Sequence, residues 1–344
     1  MKLIAFAGIC ISALLGQPAL ADEANWEISN FAVTATPNFT QFGKASTSAI
    51  LSPRDFVVEA AAYVPPPESG LAYALRRIDM TGFENYKAST FVDQTSDIWV
   101  DVSGILALNL YYGMSSDGWG SQKFHYENEG WFGEDTYALG MDKVGHAYGT
   151  YLYTEYFTQR IAHSSNNPQG AAMTGALLGF GMQTVVEVLD GFSTDYGFSN
   201  EDWIADGVGA GFSVLRNTVP GLADKIDFRM EYNPWATGSA EFSPINDYTS
   251  QKYLLALKLS GFEQFQDTPL RFVELQAGYF ARGFGPKGQA PTGELRREPY
   301  VAIGVNLAEL FNVEPIRDTL PAQFARRTFE YVQVPYVYGA TVNK

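Results

Sequence analysis

The stretch Gly140-Met-Asp-Lys-Val-Gly-His146 decides the fold of this chain together with a second stretch, Glu187-Val-Leu-Asp-Gly-Phe-Ser-Thr-Asp-Tyr-Gly-Phe-Ser-Asn-Glu-Asp-Trp-Ile-Ala-Asp206. Both stretches border long segments that are rich in apolar residues. Charged side chains set against apolar helices are costly unless they are paired. The two stretches therefore predict either a network of mutually satisfied groups or a functional site.

The apolar segments around these stretches predict a bundle of about four helices. Their ranges are 98–112, 141–161, 171–189 and 200–215. Asn200 is a good N-cap, and acids follow it in the first turn of the fourth helix. The third helix falls short of the roughly 20 apolar residues of a membrane span and carries Gln183 near its middle. Its glycines indicate close helix packing, with a short membrane helix as the alternative.

After Pro234 the apolar residues recur with a period of two, which predicts strands. The ranges are 253–261, 271–281, 300–310 and, more weakly, 328–338. Strands of this length with one apolar face suit an antiparallel meander, although they also resemble outer-membrane strands. Four to six strands do not close a barrel of the usual eight. We therefore expect an α+β fold, in which a compact bundle of about four helices is flanked by an antiparallel β-meander.

The chain divides into four regions: residues 1–21, 22–95, 96–220 and 221–344. The first has the basic start, apolar run and small-residue end of a secretory signal peptide. The others are predicted to be an N-terminal strand and loop region, the helical core and the C-terminal antiparallel strands. Cleavage after Ala21 would remove Cys10, the single cysteine, so no disulfide or thiolate site is expected. Ile9 fits a lipoprotein processing site poorly, so no lipid anchor is expected.

The net charge and the aromatic content limit which partners and which cellular location are expected. A net charge of −15 argues against nucleic acid as a partner and gives no attraction to an anionic membrane surface. The 20 Tyr, 24 Phe and 6 Trp residues suit the periplasm or the outer membrane of a Gram-negative bacterium. The expected partner is an outer-membrane or other envelope component. A Tyr-rich exported globular protein is the plainer interpretation.

Helical spacing aligns the polar residues in pairs. Asp142 lies four residues before His146, Glu187 three before Asp190, and Asp202 four before Asp206. If the helices face one another, these pairs form a carboxylate and imidazole centre suited to acid–base chemistry or a metal.

In this hypothesis Asp142 orients His146, which acts as the acid–base group, and Lys143 contacts an anion. The residues assigned to a catalytic centre are His146, Asp142, Glu187, Asp190 and Asp202, and those assigned to ligand binding are Lys143, Ser193 and Tyr196. In the alternative interpretation, Asp142 and Asp202 cap helices, His146 bonds a backbone carbonyl, and Asp190 lies in a glycine turn.

Familiar catalytic motifs are missing from the sequence. It contains no Gly-x-Ser-x-Gly, no His-Glu-x-x-His, no phosphate-binding glycine loop and no EF-hand loop. The three histidines are not at metal-ligand spacing, so a zinc site rich in imidazoles is not expected. A hard metal held mainly by oxygen atoms is the metal chemistry that remains. No residue is assigned as a metal ligand, and no cofactor is named.

A family resemblance rests on three motifs. They are Asn128-Glu-Gly-Trp-Phe-Gly133, Asp142-Lys-x-Gly-His146-Ala-Tyr, and Glu187-x-x-Asp-Gly-Phe-Ser193-x-x-Tyr-Gly-Phe-Ser199-x-x-Asp202. Together they resemble the exported family known as domain of unknown function 2279, which includes YfiM-type lipoproteins. The resemblance is close over about residues 95–220 and implies no particular reaction.

A weaker similarity runs to VanZ-like membrane proteins, which have an Asp-Lys-x-x-His segment, a later Glu and an Asp near the start of the last helix. The corresponding residues here are Asp142, Lys143, His146, Glu187 and Asp202. This chain departs from them in its less apolar helices, its added Asp-Gly-Phe-Ser turn and its strands. A shared membrane topology is therefore not expected.

Two functions are compatible with these observations. The first is an envelope protein that binds or processes a polar or lipidic envelope component at the His/carboxylate centre. The second is a non-catalytic, outer-membrane-associated structural or scaffolding protein whose polar centre is a buried lock between helices. Both hypotheses stay open at this point, and neither an enzymatic activity nor an oligomeric state follows from the residues.

Overall fold

The computed structural model describes residues 88–133, 136–165, 168–237, 242–285 and 290–342. The predicted signal peptide and most of the predicted N-terminal strand and loop region lie outside these residues. The end of that region is a helix, α1 (Ala88–Asp97), rather than strand or loop. Gln94 of α1 is fully buried. Its side-chain amide is satisfied there, because it donates a hydrogen bond to the Gln169 carbonyl and accepts one from Thr174.

Four longer helices follow at nearly the predicted positions. They are α2 (Trp99–Ser116), α3 (Met141–Ser164), α4 (Ala171–Asp190) and α5 (Asn200–Thr218). The helices α3, α4 and α5 pack against one another, and α1 packs against both α3 and α4. The four predicted helices are thus present, and α1 is an additional helix that was not predicted.

We expected the third helix to be too short to span a membrane. This expectation is wrong, because α4 has 20 residues. By length and composition α4 could cross a membrane, which is a property it shares with core helices of soluble proteins. Its packing against α3 and α5 and its buried Glu187 suit the interior of a helical bundle.

Close approach between α3 and α5 depends on a glycine. A Cβ atom at Gly209 of α5 would lie 2.0 Å from the Ala147 carbonyl oxygen of α3, so only glycine fits there. Ala147 follows His146, and Gly209 is three residues after Asp206. The two helices therefore touch backbone to backbone beside the polar residues of interest.

The C-terminal part begins with a short helix, α6 (Leu222–Lys225), and forms a six-stranded, mostly antiparallel sheet with the order β5-β1-β2-β3-β4-β6. The strands are β1 (Ile226–Tyr232), β2 (Gln251–Lys258), β3 (Val273–Arg282), β4 (Arg296–Val305), β5 (Val332–Gln333) and β6 (Tyr338–Val342). Only β5 is parallel to its neighbour, β1. The α+β class with an antiparallel meander is confirmed.

The strand predictions differ from the structure at several places. The strand β1 was not predicted, because its charged residues point to a buried side of the sheet. The range 300–310 ends in a short helix, α7 (Leu307–Leu310), where the Asn306 side chain accepts a hydrogen bond from the Glu309 amide. Most of the range 328–338 is not strand, because the helix α8 (Leu320–Phe329) ends within it and turns lie on both sides of the two-residue strand β5.

The sheet is curled with a charged face inside. In a flat sheet five strand spacings of about 4.8 Å would separate β5 from β6 by roughly 24 Å. The chain from Gln333 to Tyr338 reaches at most about 18 Å, so the two edges must approach each other. Arg229 donates to Gln333 at 3.2 Å and Tyr338 donates to Glu231 at 2.6 Å on this inner face.

The opposite face of the sheet packs on α3. Tyr148 and Tyr151 of α3 form one apolar core with Met230, Tyr253 and Ala281 of the sheet. A second core lies between α2, α3 and α4. Most of the residues with the chemistry predicted above lie on α3, α4 and α5.

Candidate functional site

Three helix ends bring the predicted site residues together. Gly140 has a φ of 84° and precedes α3, and a Cβ there would collide with Phe132, so the entry of α3 needs glycine. Ser199 caps α5 by accepting a hydrogen bond from the Asp202 amide at 3.2 Å. Glu187 lies in the last turn of α4. The polar side chains form two separate clusters at this point.

The first group, the lysine cluster, consists of Lys143 and three carboxylates. The Lys143 ammonium lies 2.5 Å from Glu129 Oε2, 2.9 Å from Asp142 Oδ2 and 2.9 Å from Asp202 Oδ1. Lys143, Asp142 and Asp202 are all buried. The three contacts use the three N–H donors of the ammonium, which is the arrangement of a buried structural ion network.

The excess of carboxylates over cations governs protonation in the lysine cluster. Burial raises the pKa of Asp142 to about 7, and Asp202 and Glu129 add to this rise while Lys143 opposes it. Burial also raises the pKa of Asp202, although Lys143 and His146 work against it. Burial by itself would lower the pKa of Lys143, but the three surrounding carboxylates outweigh it and raise that pKa above its ordinary value.

The second group, the histidine cluster, consists of His146, Glu187 and Asp206. His146 Nδ1 lies 3.3 Å from Asp206 Oδ1 and 3.4 Å from Glu187 Oε1. Both carboxylates are almost completely buried. Thr150 Oγ1 donates to Asp206 Oδ1 at 2.7 Å, and the Ser199 amide donates to Glu187 Oε2 at 3.2 Å. These donors hold the carboxylates in place against the imidazole.

Burial and the neighbouring carboxylates shift the pKa values of the groups in the histidine cluster. Burial raises the pKa of Glu187 to about 8, although the imidazole of His146 opposes this rise. Burial alone would lower the pKa of His146, but Asp202 and Asp206 outweigh it and raise that pKa well above the ordinary value. The Oδ2 atom of Asp206 is buried and has no hydrogen-bond partner among the described residues.

A cavity of about 240 Å³ opens beside the histidine cluster. His146, Gln183, Asp190 and Tyr196 line it. Its other walls include the aromatic residues Tyr112, Trp119, Tyr148, Tyr153, Tyr248 and Tyr253. Lys143 is not among its lining residues. An aromatic cavity with a few converging polar groups is the usual form of a small-molecule site.

The structure distributes the predicted site residues over distinct places. Asp142, Lys143 and Asp202 meet in the lysine cluster, whereas His146 and Glu187 meet in the histidine cluster. The carboxylates in contact with His146 Nδ1 are Glu187 and Asp206, and Asp142 contacts Lys143 instead. The predicted orienting role of Asp142 is therefore not what the contacts indicate.

The remaining predicted residues, Asp190, Ser193 and Tyr196, lie at the end of α4 or just after it. Asp190 Oδ1 accepts a hydrogen bond from Trp119 Nε1 at 2.6 Å on the cavity wall. Ser193 Oγ donates to the Asp117 carbonyl at 2.5 Å and accepts from the Asp195 amide at 3.0 Å, which braces the turn. Tyr196 lines the cavity, as a ligand-binding residue would, while Ser193 is fully buried.

Two residues were not assigned to the site from the sequence although they belong to the clusters. Asp206 was paired with Asp202 by helical spacing but received no role. Glu129 lies in the loop that carries the first family motif, Asn128–Gly133. Its place in that motif was the only feature of the sequence that pointed to it. Helical spacing could have identified Asp206, whereas no periodicity places Glu129 against Lys143.

Comparison with known families agrees with the resemblance drawn from the motifs. Residues 128–218 match the model of the family DUF2279, described as a predicted periplasmic lipoprotein. The matched range contains every residue of both clusters, from Glu129 to Asp206, and ends before the sheet. No curated protein and no solved structure matches the chain significantly.

The family match supports an exported protein of the cell envelope. Nothing in the comparisons supports the weaker similarity to VanZ-like proteins. The predicted absence of a lipid anchor rests on Ile9 and Cys10, which lie outside the described residues, so it stays a prediction beside a family description that names a lipoprotein.

Proposed function

We propose that this envelope protein binds a polar envelope component in the cavity beside His146. The observation that carries the proposal is that His146 lies on the cavity wall while its Nδ1 atom is held by two buried carboxylates. A side chain held in this way presents the rest of its ring in a fixed orientation. Fixed polar groups in an aromatic cavity favour recognition of one ligand class over others.

The lining of the cavity indicates the chemistry of the ligand. Asp190 and the amides of Asn109, Asn246 and Gln183 offer hydrogen-bond acceptors, and no Lys or Arg occurs among the described lining residues. The acceptor oxygens and aromatic rings suit a ligand that donates hydrogen bonds, such as a hydroxyl-rich or ammonium-bearing head group. The earlier assignment of Lys143 as an anion contact is not favoured, because three carboxylates already surround its ammonium.

A second role, that of a lock between helices, is favoured for the lysine cluster alone. Lys143 on α3 bridges Asp202 at the start of α5 and Glu129 in the loop before α3. Such a buried network ties three segments together and leaves no donor for a ligand. Each of the two hypotheses drawn from the sequence thus finds support in a different cluster.

Probe binding tests this proposal. We expect N-acetylglucosamine or ethanolamine to change the protein's tryptophan fluorescence, because Trp119 lies on the cavity wall, and we expect inorganic phosphate not to do so. His146→Ala and Asp190→Asn should weaken probe binding at least tenfold while the protein stays folded by circular dichroism. His163→Ala, which changes an exposed histidine at the end of α3, is the matched control.

Two results would overturn the proposal. One is that phosphate binds while both other probes fail to bind. The other is that His146→Ala and Asp190→Asn lose binding only in proportion to a fall in melting temperature, as expected if the whole centre were a lock.

A further inference from the structure

The two clusters are alike in their acids but differ in their cation. In the lysine cluster an ammonium lies within 3 Å of three carboxylates. In the histidine cluster Glu187 and Asp206 are at least as deeply buried, and neither forms an ion pair with a Lys or Arg among the described residues. Two buried carboxylates without a permanent cation are costly, because each has lost its hydration.

The hydrogen bonds of the histidine cluster compensate for this cost only in part. Thr150 and Gln183 both donate to the same oxygen, Asp206 Oδ1, at 2.7 and 3.4 Å. The other oxygen, Asp206 Oδ2, is buried without a partner in the described part of the chain. An unpartnered carboxylate oxygen on a side chain that is 0% exposed is a strong acceptor that lacks a ligand.

The geometry of the histidine cluster fits a metal ion. One donor atom from each of His146, Glu187 and Asp206 lies within 4.8 Å of the other two. The imidazole nitrogen is 3.3 Å and 3.4 Å from the two carboxylate oxygens. An ion with ligand distances of about 2.0–2.2 Å places neighbouring ligand atoms roughly 3–4 Å apart. These three side chains could therefore become ligands with movements of less than about an ångström.

We propose that His146, Glu187 and Asp206 bind one divalent transition-metal cation of the Zn²⁺ or Mn²⁺ type at the cavity wall. One imidazole and two carboxylates suit these ions better than Mg²⁺ or Ca²⁺, which prefer oxygen atoms alone. Thr150 donates a hydrogen bond to Asp206 and the Ser199 amide donates one to Glu187, as partners of metal ligands commonly do. Of the three proposed ligands, His146 lines the cavity.

The lysine cluster provides an internal comparison. Glu129, Asp142 and Asp202 also place three oxygen atoms within 4.8 Å of one another, but the Lys143 ammonium already lies among them. An external ion would have to displace that ammonium. We therefore assign the metal to the histidine cluster only, and this assignment does not depend on the identity of the organic ligand proposed above.

Equilibrium dialysis with elemental analysis tests the site on the full-length protein after treatment with a chelator. We expect about one equivalent of Zn²⁺ or Mn²⁺ per chain and a higher melting temperature with the ion. His146→Gln and Glu187→Gln should each weaken binding at least tenfold. Asp142→Asn in the lysine cluster is the matched control and should bind as the wild type does.

Mn²⁺ provides a readout that does not depend on stability, because a coordinated imidazole nitrogen couples to the electron spin. We expect this coupling in pulsed electron paramagnetic resonance of the wild type and its loss in His146→Gln. The proposal is overturned if the folded wild type binds neither ion at millimolar concentration. It is also overturned if His146→Gln and Glu187→Gln bind as the wild type does, or if Asp142→Asn loses the ion to the same extent.

Discussion

Replacement of Lys143 by methionine should destabilise the protein strongly, because it removes the ammonium that contacts three buried carboxylates. The methionine side chain has a similar length, so the change removes the charge without opening a large cavity. Glu129, Asp142 and Asp202 would then lie together with no ammonium to share. A buried charge network with one partner deleted is left with uncompensated charge, which costs more than the network itself contributes.

The expected cost is about 4 kcal/mol near pH 8, within the roughly 3–5 kcal/mol observed when one partner of a buried ion pair is deleted. This cost should lower the melting temperature by roughly 10 °C in a domain of this size. It should shrink at lower pH, since the carboxylates can take up protons and lose their mutual repulsion. The pKa of Asp142 is already raised to about 7 in the wild type, so near pH 5 most of this relief is available.

Urea unfolding at pH 8 and at pH 5, followed by circular dichroism, measures both effects. Lys123→Met is the matched control, because Lys123 is exposed, and its cost should stay within about 0.5 kcal/mol. A Lys143→Met protein that loses less than about 1 kcal/mol at pH 8 would show that the lysine cluster is no lock. A loss of equal size at both pH values would refute the electrostatic explanation.

Two further predictions concern stability. Gly209→Ala should lower the free energy of unfolding by about 1–3 kcal/mol, because its Cβ would lie 2.0 Å from the Ala147 carbonyl oxygen. In Gly211→Ala on the same helix the Cβ meets nothing within 4 Å, so thermal unfolding should show stabilisation by up to about 1 kcal/mol. The folded protein holds a proton on Asp142 up to about pH 7, while the unfolded chain releases it near pH 4. Stability should therefore fall as pH rises between these values, and Asp142 should contribute on the order of 4 kcal/mol at most to this fall. Asp142→Asn should remove the contribution of Asp142 in urea unfolding, while that of Glu187, whose pKa is also raised, remains. Equal costs for the two glycine variants, or an unchanged pH slope in Asp142→Asn, would contradict these explanations.

The helices could be predicted from the sequence because local signals define them. Apolar segments with polar borders placed α2, α3, α4 and α5 within a few residues of their observed bounds. The strand β1 could not be predicted in the same way. Asp227, Arg229 and Glu231 face the inside of the curled sheet, so its pattern of polar and apolar residues does not identify the buried face.

The clusters could be predicted only as a set of aligned pairs. Helical spacing places Asp142 near His146 and Asp202 near Asp206 on their own helices. It does not determine how three helices cross, and the crossing decides that Asp202 meets Lys143 while Asp206 meets His146. For this reason the sequence suggested one polar centre where the structure has two.

The backbone contact between Gly209 and Ala147 has a consequence for the energetics of binding at His146. Because α3 and α5 touch there, the imidazole and the Asp206 carboxylate acquire their separation when the protein folds. Little conformational entropy then remains to be lost when an ion or ligand arrives, so its affinity depends mainly on how well it fits a pre-formed ring of donors. Such a ring discriminates between ions by radius, because the two helices are already in contact and cannot move closer together around a smaller ion.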